Sequence, residues 1–166
     1  MKKTKSFKFI IIILLLILLV IFILGCIIYF FNINAPKKEA DKIINDFYEN
    51  EQVFITIKDY FLNNEFDSIH VYVNKNNFSE LILTDEEYEC FNNVFTKLKL
   101  IRIVYHKTDH SSGYSDVVRF VYTIKFNLEH EMVYTGSNDS FIWNSSVTIE
   151  NINLENGWHF NSYGGE

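Results

Sequence analysis

Residues 9 to 31, FIIIILLLILLVIFILGCIIYFF, are 23 consecutive positions without a charge. As a helix rising ~1.5 Å per residue they reach roughly 34 Å, enough to cross a hydrocarbon core of ~30 Å with some tilt. A core helix of a soluble domain is shorter and keeps a polar stripe. This run therefore predicts a transmembrane helix with the lipid bilayer as its partner, preceded by a basic tail at residues 1 to 8.

The flanks set the expected orientation. Lys2, Lys3, Lys5 and Lys8 precede the run, whereas Lys37, Lys38 and Lys42 follow it among acids. Lysine and arginine bias toward the cytoplasmic side places the N-terminus inside, and residues 32 to 166 outside. The expected protein is single-pass in the cell membrane, with an extracytoplasmic domain.

Gly25-Cys26 opens a second fate. Ile23-Leu24-Gly25-Cys26 resembles part of a bacterial lipoprotein signal, with lipidation at Cys26, although Leu24 is bulky for that position. Cleavable signals carry an apolar region of about 7 to 15 residues and a small-residue cleavage site. Here Ile27, Ile28, Tyr29, Phe30 and Phe31 keep the stretch apolar past the cysteine, and no A-x-A pattern follows. An uncleaved anchor is the reading these residues favour, with lipidation or ordinary cleavage as alternatives. Cys90 is the only other cysteine, so no disulfide within the outer domain is expected; it is read as a small buried residue or an interchain partner.

From residue 37 onward 11 Lys and Arg face 21 Asp and Glu. That balance argues against a nucleic-acid partner, since phosphate neutralisation needs a basic surface.

Asn32 to Pro36 is read as a break and linker through residue 37, before a domain at 38 to 166. Residues 38 to 62 bring Ala40, Ile43, Ile44, Phe47, Phe54, Phe61 and Leu62 near one helical face. Ser68 to Val73 alternates as a strand, and Asn74 to Asn77 reads as a turn. In LTDEEYECF, Thr84 and Glu87 form a capping box, Leu83 and Tyr88 a hydrophobic staple, and Tyr88, Phe91, Val94, Phe95 and Leu98 an apolar stripe. Strands are predicted at 100–106, 116–128, 131–135, 147–154 and 158–163, the last two joined by Asn156-Gly157. The fold class is α+β, two helices on an antiparallel sheet of about four to six strands, a general plan shared by cystatin-like and nuclear-transport-factor-like folds. In 116–128 both faces are apolar, which predicts a central strand with a covered second face, or a binding surface.

Chemistry-bearing residues gather in YHKTDHSSGYSD. His106, Asp109 and His110 are weak metal candidates, with Asp116 nearby, because imidazole and carboxylate suit zinc and related ions. A His-x3-His pair shares one face on a helix, however, and this context is strand into loop, so a solvated loop is the simpler reading. Glu129-His130-Glu131 is read as a polar hairpin tip, and His70 and His159 as packed or edge residues. No nucleophile motif, phosphate loop or metal box is present, and neither a cofactor nor a catalytic residue is assigned. The function expected is binding of a protein or small ligand outside the cytoplasm; a metal-dependent or enzymatic domain using residues 105 to 116 is the alternative. The usage, rich in Ile, Asn, Lys and Phe with almost no Ala, is that of AT-rich Gram-positive bacteria, and INLENGWHFNSYGG resembles the tails of small secreted or anchored proteins of such bacteria.

Overall fold

A computed structural model describes residues 3–73, 81–108, 116–122, 128–136 and 147–164. The chain divides into two compact units, Met1–Glu39 and Ala40–Glu166.

Residues 3–39 of the first unit lie within α1 (Lys3–Glu49). None of Ile13–Phe30 is buried. Its large side chains, from Leu14 to Phe30, are half exposed or more in most cases, so the apolar surface faces outward all round the helix.

Asn32 to Pro36 does not interrupt α1. Proline removes one backbone donor and strains the preceding turn, but Ala35, Lys37, Lys38, Glu39 and Ala40 around it are compatible with helix, and the helix is retained. The break comes instead at Asn50, within the segment read from sequence as one helix. The Asn50 side-chain amide donates to the Asp46 carbonyl at 2.8 Å, closing α1 before α2 (Glu51–Asn63) starts.

The second unit is an α+β domain. After α2 come β1 (Ser68–Tyr72), α3 (Asp85–Thr96), β2 (Leu100–His106), β3 (Val117–Tyr122), β4 (Leu128–Tyr134), β5 (Val147–Glu155) and β6 (Trp158–Gly164). The strands form one antiparallel sheet in the order β1-β2-β3-β4-β6-β5. The last hairpin is inverted relative to a simple meander, so β6 rather than β5 lies against β4.

One sheet face carries the main core. Phe54 of α2 meets Phe120 at 4.9 Å, Phe61 stacks on Tyr105 at 5.7 Å, and Phe47 of α1 meets Trp158 at 5.0 Å. Phe91, Val94 and Phe95 bury the inner side of α3. Tyr88, expected in that stripe, is half exposed, so the stripe begins one turn later. The capping box is present: the Thr84 backbone N–H donates to Glu87 Oε2 at 2.7 Å, and the Glu87 N–H donates to Thr84 Oγ1 at 3.3 Å. Asn156 and Gly157 have φ of 51° and 80°, as the expected two-residue turn requires.

The segment read as one strand over 116–128 is not one. β3 ends at Tyr122, and β4 already starts at Leu128, so Glu129, His130 and Glu131 lie within β4 and not at a hairpin tip. Their polarity suggested a turn, but the sheet supplies the groups that neutralise it.

Candidate functional site

The sheet's second face, opposite Phe120 and Trp158, brings two arginines and two glutamates together. The register aligns Arg102, Val121, Glu131, Asn161 and Asn151 across β2, β3, β4, β6 and β5. Alternation then puts Arg119, Glu129, Val133, His159 and Tyr163 on the same face.

These groups form a continuous polar ladder. Arg102 Nη2 donates to Glu129 Oε1 at 3.2 Å and to Oε2 at 3.3 Å. Arg119 Nη2 lies 3.6 Å from Glu129 Oε1, and Arg119 Nε donates to Glu131 Oε2 at 2.7 Å. Asn161 Nδ2 donates to Glu131 Oε1 at 3.4 Å and to the Tyr163 hydroxyl at 2.9 Å. Asn151 donates to Asn161 Oδ1. One row on, Thr135 Oγ1 and His159 Nε2 are 3.3 Å apart.

Burial grades along the ladder. The Glu131 side chain is 0% exposed and that of Arg119 13%, whereas Arg102 and Glu129 keep 30% and 26%. Val117, Val121 and Val133 are buried between them, so the second face is covered, as one of the two sequence readings held.

Chemically the ladder is occupied. Both oxygens of Glu131 and both of Glu129 accept bonds from cations or an amide. A carboxylate so engaged sits between fixed donors and cannot take up a metal without breaking those bonds. The arrangement suits register control and a stiff platform.

The sequence-derived candidates fare differently. His106 ends β2 and is exposed; Asp109 and His110 lie outside the described residues. Asp116 serves the loop's closure: its Oδ2 accepts from the Tyr105 hydroxyl at 2.9 Å, and its Oδ1 from the Thr108 N–H at 3.0 Å. Burial first, and then this bond and the charge of Asp116, push the Tyr105 phenol up to about 12. Among the described residues no group of three or more His, Cys, Asp or Glu is placed to hold a metal ion. His130 is buried on the main-core face, stacked on Phe160 at 5.9 Å. Cys90 is a half-buried free thiol, raised mainly by burial. Cys26 is free and exposed on α1.

Sequence reading missed the ladder. One signal was present: Arg119 interrupts VVRFVY, and a lone cation inside a buried strand needs an acid across the sheet.

No family model, no curated protein and no solved structure matches the chain. The architecture is α+β, and no finer fold kinship, cystatin-like or other, is added to it.

Proposed function

We propose that the chain is a single-pass membrane protein, anchored through residues 9–31 with its N-terminal tail in the cytoplasm, whose α+β domain binds a protein or small ligand outside. The observation that carries the anchor is the exposed stretch Ile13–Phe30, none of it buried, in a chain whose second unit buries Phe47, Phe54, Phe61, Phe91, Phe120 and Phe160. In water that stretch would expose apolar surface at roughly 25 cal/mol per Å²; in lipid the penalty disappears. The binding role is supported by the acidic balance of the residues after the apolar stretch, in a sequence without a nucleophile motif, phosphate loop or metal box.

The test combines alkaline extraction of membranes, protease treatment of intact cells and mass spectrometry of the N-terminal peptide. An anchored chain stays in the pellet with its N-terminus intact, and external protease removes the domain. Release of the whole chain, or a domain protected from protease, overturns the topology; a diacylglyceryl group on Cys26 replaces the anchor with a lipid. In-cell crosslinking tests the binding role, which fails if no reproducible protein or small molecule is captured.

A further inference from the structure

The sequence paired His106 with Asp109 and His110, but the fold brings it beside a different histidine. In the β1–β2 register Ser68 stands opposite His106, and His70 stands opposite Val104. His70 and His106 are therefore diagonal neighbours on one face of an antiparallel pair. Such neighbours stand roughly 7–8 Å apart at the backbone, with side chains nearer. Two imidazoles meeting one ion at ~2.0–2.1 Å each fit that separation. Both residues are exposed.

We propose that His70 and His106 form a two-histidine site for a divalent transition-metal ion at the solvent-facing end of the sheet's second face. This site goes beyond the anchored binding module and does not depend on its topology.

Three further observations support it. The Tyr72 hydroxyl lies 3.2 Å from His70 Nδ1. With Nδ1 donating to that oxygen, the lone pair is on Nε2, and the ring is held as metal-bound histidines are held by their outer partners. The neighbouring Ser68 hydroxyl donates to the Tyr105 carbonyl at 3.3 Å, so it does not compete for the rings. Arg102, opposite Tyr72, is neutralised by Glu129, and the acidic balance of the domain favours cations. Two imidazoles leave the remaining positions to water. That makes the site one for exchangeable zinc or copper(II), unlike a closed four-ligand structural centre.

Untagged full-length chain in detergent would be titrated calorimetrically with zinc chloride and, separately, with copper(II) chloride. One saturable site per chain is expected. His70→Ala and His106→Ala should each weaken it roughly tenfold or more, and Tyr72→Phe roughly tenfold. Binding should vanish as acid protonates the rings. Both histidines are exposed, and an unchanged circular dichroism spectrum keeps the comparison clean. Absence of saturable binding overturns the proposal. So does loss in His110→Ala with retention in His70→Ala, which would move the ion to the 105–116 loop.

Discussion

Glu131→Ala is the sharpest probe of the second face. The substitution removes a 0% exposed carboxylate from the Arg119 guanidinium, itself 13% exposed, and leaves the looser Glu129 contact at 3.6 Å. Removing one partner of a buried pair costs about 3–5 kcal/mol, because the other charge stays desolvated. Glu129→Ala removes a pair whose partners are 30% and 26% exposed, where water screens the loss, so about 1 kcal/mol or less is expected. Replacing both inner partners, Arg119→Met with Glu131→Leu, should recover most of the deficit, since a packed apolar pair has no charge to desolvate. Asn161 keeps its bond to the Tyr163 hydroxyl in that variant. The assay is thermal unfolding of the full chain in mild detergent, followed by fluorescence of the core residue Trp158. For a domain of this size Glu131→Ala should lower Tm by on the order of 10 °C. Equal, small shifts for Glu131→Ala and Glu129→Ala would refute the reasoning, because they would mean that water reaches the inner pair.

Three other outcomes follow from the packing and titration. Phe54 is 0% exposed and lies 5.3, 4.9 and 6.2 Å from the rings of Phe47, Phe120 and Trp158. Phe54→Ala should therefore cost about 3–5 kcal/mol in the same unfolding assay. Gly157 has φ +80°, and an added Cβ would sit 3.1 Å from the Gly136 backbone, which cannot rotate away. Gly157→Ala should destabilise by about 1–3 kcal/mol, and Gly136 should shift in NMR spectra. Tyr105, ordinarily near 10, is raised to about 12 in the folded chain, so its neutral form is favoured by folding. Its contribution is complete below about pH 10 and is lost as pH rises toward about 12. Tyr105→Phe should flatten the fall in stability across that window without abolishing it, because burial raises Tyr60 and Tyr122 as well.

What could be read from the sequence was local. Thr84 and Glu87 are three residues apart, and the chemistry of their cap is complete within that span, so the start of α3 was legible. Asn156-Gly157 likewise encodes its own turn. Glu129-His130-Glu131 was not legible, because its meaning depends on cations far along the chain. The bonds reach 27 residues back to Arg102 and 12 back to Arg119. Without those partners a polar triplet reads as a turn. The helix break at Asn50 was hidden for another reason: neither glycine nor proline marks it, and an asparagine side chain makes it. The pairing of His70 with His106 required the register of two strands separated by a helix, which no local pattern contains.

The ladder also bears on how the domain selects one sheet pairing without an internal disulfide. In β4, Met132 and Tyr134 face the aromatic core while Glu129 and Glu131 face the two arginines. A slip of one residue between β3 and β4 would exchange those faces. It would carry both carboxylates toward Phe120 and Phe160, and Met132 toward Arg119. Each carboxylate would then be desolvated without a cation, at several kcal/mol apiece. The inner pair adds little net stability over a well-packed apolar substitute, but the slipped alternative is penalised heavily. The double replacement Arg119→Met with Glu131→Leu should therefore fold with near-native stability and yet lose its protection against mispairing. Slower or heterogeneous refolding beside an almost unchanged Tm is the signature of that role.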